Sequence, residues 1–164
     1  MGGGGLASGL GLVASRSGRI TVIGVEAAAS PAVSTAIRAG RVVEVDVRHT
    51  LADGLAGNLE PGTVTVGLIR DHVRRLIAVT EDQIAEAIRY LAREHGVIAE
   101  GSGAAPVAGI LADLAPVTGQ IVAIVGGRNI TVPALADVLR SEHGSRPRRC
   151  SRRPATVPRF RVCR

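Results

Sequence analysis

Lysine is absent: every one of the 20 basic residues in this 164-residue chain is an arginine. Any chemistry that needs a side-chain amine within these residues is excluded. Aromatic residues are nearly as scarce, with one Phe, one Tyr and no Trp. No uncharged apolar run approaches the roughly 18 residues needed to span a bilayer, so no membrane segment is expected. The only cysteines, Cys150 and Cys163, have His143 alone nearby, too small a set for a metal site or a disulfide framework. A reduced, cytoplasmic setting is therefore expected. The amino terminus, MGGGGLASGLGLVAS, lacks the positive flank and long aliphatic stretch of a secretory signal.

What is present belongs to a folded protein. Hydrophobic residues make up 46% and charged residues 21%, values that exclude a disordered, collagen-like or disulfide-knotted chain. The length suits one domain. Charge is unevenly placed: residues 1–140 carry 12 Arg against 13 Asp and Glu, whereas residues 141–164 carry 8 Arg against Glu142 alone. That tail, SEHGSRPRRCSRRPATVPRFRVCR, shows no helical or strand period and is expected to be an Arg-rich disordered appendage to a folded body over 1–140. Clustered arginines could draw a nucleic acid or another anionic surface, but the body, with its near-neutral balance, points elsewhere.

The body alternates short β-branched runs with amphipathic stretches, the pattern of an α/β chain with helices on a mostly parallel sheet. Residues 6–15 suit a helix, Arg19 to Glu26 a buried strand, and Pro31 to Arg38 a short helix ended by Gly40. Residues 41–47 read as an edge strand or an extended connection, and 49–62 as an ordered loop. A helix is predicted over 68–75 and a strand over 76–79. The clearest helix follows: Thr80 is its N-cap with Gln83 completing a capping box, Ile84, Ala87, Ile88 and Leu91 form one apolar stripe, and Gly96 stops it. Residues 103–114 suit a helix of small residues, 120–125 a buried strand, and 133–140 a last helix.

In open α/β sheets ligands gather at the carboxyl ends of strands and the amino ends of helices, and three segments meet that rule. Gly2 to Leu6 offers backbone N–H groups at the positive end of a helix, the makings of a phosphate cradle; a flexible linker is the plain reading of the same glycines. EGSGA (100–104) sets Glu100 beside two glycines at a helix start. GGRN (126–129) follows a strand and carries Asn129, which can both donate and accept. A rival pattern, GLGLVA (9–14), matches the dinucleotide fingerprint with Glu26 ending a strand 17 residues later. It lacks the preceding strand that fingerprint requires.

Taken in order, GGGGLASGL, VIGVE, TLADGL with EPGT after it, the TEDQIAEA helix, EGSGAA and the strand ending in GGRNI resemble the carboxyl-terminal half of a threonine ammonia-lyase (threonine dehydratase). That is a fold-type-II pyridoxal-phosphate enzyme, close to serine racemase. The resemblance covers about residues 2–140, with six motifs in family order and spacing. It implies an open, mostly parallel three-layer α/β fold of the tryptophan synthase β type, present here in part. It further implies that Gly2, Gly3, Gly4, Gly5 and the N–H of Leu6 hold the phosphate of pyridoxal 5′-phosphate. Glu100 would lie near the cofactor ring, Gly126 and Asn129 in the loop under it, and Asp53 and Gly54 on the substrate side.

Glu26 and the main chain of Ser30 fall where some relatives bind a divalent metal, but Ala32 replaces the acidic partner, leaving a poor cation site. The implied reaction removes the hydroxyl of L-threonine or serine and releases ammonia and a 2-oxo acid. In the family a lysine upstream of the glycine loop anchors the cofactor and moves the proton; no residue here can substitute. Gly126 also replaces the Ser or Cys that relatives direct at the pyridine nitrogen, and Arg128 replaces a common glycine. The chain is thus expected to be inactive alone and marginally stable, with sheet edges open. Its intact form would be a cytoplasmic homo-oligomer acting on hydroxy amino acids. The alternatives are a non-catalytic cofactor- or phosphate-binding half that pairs with a separate amino-terminal half, and a Rossmann-type dinucleotide-binding fragment.

Overall fold

The computed structural model describes residues 1–114, 119–141 and 160–163, the last as backbone only. In order, α1 spans Gly5–Ser17, β1 Ile23–Ala27, α2 Ala32–Ala39, α3 Thr65–His72, β2 Arg75–Val79, α4 Glu81–His95, α5 Gly101–Leu111, β3 Ile121–Ile124, α6 Val132–Arg140 and β4 Phe160–Cys163. The architecture is α/β with a partial parallel sheet. β1 and β2 pair in parallel from Ile23↔Arg75 to Ala27↔Val79, and β3 pairs in parallel with β4 from Ile121↔Phe160 to Ile124↔Cys163. Parallel partners need a crossover, and between β1 and β2 it is supplied by α2, a long connection and α3.

Local signals in α4 decide it as expected. The Thr80 hydroxyl accepts from the Gln83 N–H at 3.4 Å, and the Gln83 side chain accepts from the Thr80 N–H at 2.9 Å. Ile84, Ala87, Ile88 and Leu91 are all sealed from solvent. Each large aliphatic among them stabilises the fold by about 1.5–3 kcal/mol. This stripe packs on α5, whose small buried residues Ala104, Ala105 and Ala108 belong to the same core. A second apolar cluster joins Ala7 of α1, Val33 and Ala36 of α2 and Ile69 of α3.

Several boundaries differ from expectation for reasons outside the local sequence. α3 begins and ends three residues earlier than 68–75; its end is set by Arg74, which donates its N–H to the Val22 carbonyl at 3.0 Å, and by Arg75, which already pairs with β1. β1 itself begins at Ile23, where that pairing begins, and not at Arg19. Of the two readings of residues 41–47 the connection holds and the edge strand does not: no ladder forms, and Val45 exchanges bonds with the Asn58 side chain at 2.7 and 3.2 Å. The expected buried strand at 120–125 exposes Val122, which is 53% accessible. Phe160–Cys163 lies in a strand where no strand period was legible, since its register is set by β3. The rest of the expected disordered tail, with Cys150, lies outside the described residues.

Candidate functional site

The glycine run is held in place. Gly4 is the N-cap of α1 with φ +82°, a left-handed conformation that glycine adopts without penalty. A Cβ there would also fall 2.6 Å from Ile69 Cδ1 and 3.2 Å from Thr65. Thr65 donates its hydroxyl to the Gly3 carbonyl at 2.7 Å. A Cβ on Gly2 would meet the Gly54 carbonyl at 2.9 Å, whereas Gly3 and Gly5 face open space. No side chain caps the first turn of α1. Its N–H groups, at the positive end of the helix dipole, are those an anion would satisfy.

A second wall comes from the start of α5 and the loop after β3. The Glu100 N–H donates to the Gly127 carbonyl at 3.2 Å, and a Cβ on Gly127 would lie 1.8 Å from Glu100 Oε1. Gly103 approaches the same carbonyl, its missing Cβ 2.7 Å away. Gly101 is pressed against Leu51, whose carbonyl would be 2.1 Å from a Cβ. Thus Gly101 and Gly103 answer to backbone and Gly127 to the Glu100 side chain, each across a long sequence separation, whereas nothing stands within 4 Å of a Cβ on Gly126.

Between these walls lies a cavity of about 1620 Å³ lined by Gly2 through Leu6, Gly54, Glu100, Ser102, Gly126 and Gly127. It therefore unites the phosphate-loop candidates with Gly54, Glu100 and Gly126. Two other candidates stand off its wall. Asp53 is exposed and accepts the N–H of Gly54 at 2.8 Å, and Asn129 is exposed beyond the Gly126–Gly127 bend. The cavity walls carry the exposed apolar side chains Leu6, Val13, Ile20 and Val122.

The Glu26 carboxylate and the Ser30 hydroxyl are both engaged within the protein. Glu26 is 1% exposed, and its two carboxylate oxygens accept the N–H groups of Val33 at 2.8 Å and Ser34 at 3.1 Å. The carboxylate thus caps the first turn of α2. Ser30 closes a pair of bonds with the Gly57 main chain, at 3.1 and 3.2 Å. Among the described residues no three His, Cys, Asp or Glu side chains come together as a metal site. The Met1 amine, donated to the Val25 carbonyl, is lowered to about 6 by burial, against the opposing pull of the Glu26 charge.

The dinucleotide alternative is corrected here. GLGLVA lies wholly inside α1, and Gly11 is glycine because His72 and Val73 of the α3 end would stand 3.1 Å from a Cβ. A helix interior has its N–H groups spent on the helix itself, so no pyrophosphate-binding turn exists there.

Residues 1–127 match the family described as pyridoxal-phosphate dependent enzyme. The chain belongs to that family. In sequence it is similar to the L-threonine ammonia-lyase of Thermotoga maritima, 42% identical over 134 residues, 80% of this chain and 33% of that protein. In structure it is similar to processed threonine deaminase isoform 2 from Solanum lycopersicum, with a TM-score of 0.76 at 30% identity over 84% of this chain and 39% of that one. Maize serine racemase gives a TM-score of 0.74 at 28% identity over 84% of this chain and 44% of the other. The chain spans about a third of the length of the relatives matched in sequence.

As a pyridoxal-phosphate family member the chain has a donor set that fits the cofactor: an uncapped helix terminus for a phosphate, and side-chain-free walls where a flat ring would approach. Among the described residues no helix is long and apolar enough to cross a membrane. Sequence reasoning overlooked Thr65 and Ile69, which pin the glycine run from α3, because nothing local links positions 3 and 65. Ser102 was also passed over, although it sits inside the EGSGA segment. Its hydroxyl reveals itself only once burial and partners are known.

Proposed function

We propose that this chain is the phosphate-gripping and ring-supporting part of a pyridoxal-phosphate-dependent threonine or serine dehydratase, and that the 164-residue polypeptide alone does not turn over. The observation that carries the reading is the uncapped, glycine-built start of α1 on the wall of the cavity, opposite Glu100 and Gly126. Gly2, Gly3, Gly4, Gly5 and the N–H of Leu6 would hold the phosphate, with the α1 dipole offsetting its charge. Glu100, fixed against Gly127, would flank the ring, and the Gly126 to Asn129 loop would support it. Asp53 and Gly54 would border the substrate. When bound, the cofactor supplies an electron sink for loss of the α-proton and β-hydroxyl of the amino acid. In the intact reaction L-threonine gives 2-oxobutanoate and ammonia.

With no lysine among its residues, the chain has no side chain to anchor the cofactor or relay that proton. A second reading is favoured by the apolar side chains Leu6, Val13, Ile20 and Val122 on the cavity walls. A patch of this kind marks a surface that another segment covers, and the reading is a cofactor-binding half completed by a separate amino-terminal half in a cytoplasmic, homo-oligomeric enzyme. Both readings meet one experiment. The chain is incubated with pyridoxal 5′-phosphate and L-threonine, and 2-oxobutanoate is assayed with and without a lysine-bearing amino-terminal half of a relative. Activity only with both halves supports the completed-enzyme reading. Sustained turnover by the chain alone, above free cofactor, overturns the proposal.

A further inference from the structure

We infer that the Ser102 hydroxyl is a ligand-binding group of this cavity, donating a hydrogen bond to an anionic oxygen of the molecule held there; the inference rests on the cofactor-site reading above. Ser102 Oγ is screened from solvent and has no hydrogen-bond partner among the described residues. A hydroxyl left so destabilises the fold, and alanine would fill nearly the same space without that penalty. The described residues thus give the hydroxyl no partner within the protein.

Its position supplies another reason. Ser102 is the second residue of α5, whose first turn receives no side-chain cap, and it lines the same cavity as Gly2 through Gly5 and Gly126. A Cβ on Gly54 would be 2.9 Å from Ser102 Oγ, and the Gly54 carbonyl would be 2.9 Å from a Cβ on Gly2. The hydroxyl and the glycine run thus flank one short turn, Asp53–Leu55. Pro106 lies four residues on, inside α5, and has no N–H to return to the Ser102 carbonyl. Among the described residues one other buried side-chain oxygen lacks a partner, Glu81 Oε1. Glu81 differs in that its second oxygen already accepts the Leu51 N–H at 2.7 Å, and it does not line the cavity. Ser102 is left as a polar group on the ligand side that the protein does not itself satisfy. The positive end of the α5 dipole behind it selects an oxyanion. That oxygen belongs either to the cofactor phosphate ester or to the phenolic oxygen of its ring.

The test compares the full chain with its Ser102→Ala variant. Each is titrated by equilibrium dialysis with pyridoxal 5′-phosphate, pyridoxal and inorganic phosphate, and each is unfolded in urea without ligand. The variant is expected to bind pyridoxal 5′-phosphate about tenfold more weakly while its unliganded stability is undiminished. A parallel loss toward inorganic phosphate assigns the bond to the phosphate, and a parallel loss toward pyridoxal assigns it to the ring oxygen. Equal pyridoxal 5′-phosphate affinity in the two proteins overturns the inference alone, as does a variant that is less stable without ligand. A wild-type chain that takes up no pyridoxal 5′-phosphate overturns the cofactor-site reading, and this inference with it.

Discussion

The Glu100 carboxylate fills the space where a side chain on Gly127 would begin: a Cβ at Gly127 would lie 1.8 Å from Oε1 and 2.7 Å from Cδ of Glu100. The backbone of the same two residues is joined by the Glu100 N–H donating to the Gly127 carbonyl at 3.2 Å. The loop after β3 and the start of α5 are thereby held as one surface, and the direction of the carboxylate is set by a glycine 27 positions away.

That contact makes Gly127→Ala an overpacking change. The three nearest atoms to the new methyl all belong to the Glu100 side chain, which can swing away, so the chain should still fold. A loss of about 1–3 kcal/mol is expected in urea denaturation. In a Glu100→Ala background the same substitution should cost less than about 0.5 kcal/mol, because the clash is gone. Additive effects of the two substitutions would show that the contact does not exist in solution.

Gly4 and Gly9 should answer alanine in opposite ways. At Gly4 the positive φ and the nearby Ile69 and Thr65 combine strain with a clash, and a loss of about 2 kcal/mol or more is expected. Weaker uptake of inorganic phosphate should accompany it, measured by dialysis. Gly9 is an exposed helix position with nothing near its missing Cβ, and alanine there should raise stability by about 0.5–1 kcal/mol. A destabilised Gly9→Ala variant would show that the space beside Gly9 is filled in solution.

Glu26 should behave as a helix cap and not as a metal ligand. Replacing it with Gln turns an NH₂ group toward one of two backbone donors, Val33 or Ser34. The expected cost is about 1–3 kcal/mol, seen as a lower midpoint of thermal unfolding. Millimolar magnesium should leave the wild-type midpoint unchanged. A rise in that midpoint with magnesium, abolished in the Gln variant, would restore the cation site.

Elements ruled by neighbours in sequence were legible beforehand. The Thr80–Gln83 box and the stripe from Ile84 to Leu91 require only helical geometry to be recognised, and α4 follows them closely. The Gly40 and Gly96 helix stops also carry their own signal, a left-handed glycine at the C-cap. The start of β1 and the end of α3 were misplaced because strand pairing, which no local pattern announces, set both limits. Likewise the tail segment 160–163 takes its extended form from β3. That the amino end of α2 arrives at the Glu26 carboxylate was not legible in one dimension.

The order of motifs along the chain was enough to point to the family that residues 1–127 match, and to single out Gly2 through Leu6, Glu100 and Gly126 as candidates, because those signals reside in residue type and local sequence. Tertiary structure alone brought positions 2, 54 and 102 to one turn, set Glu100 over Gly127, and left Asp53 and Asn129 exposed outside the cavity lining. Those outcomes depend on how the parallel strands and the small-residue face of α5 come together. Such contacts join residues many positions apart, and their geometry exists only after the intervening chain has folded.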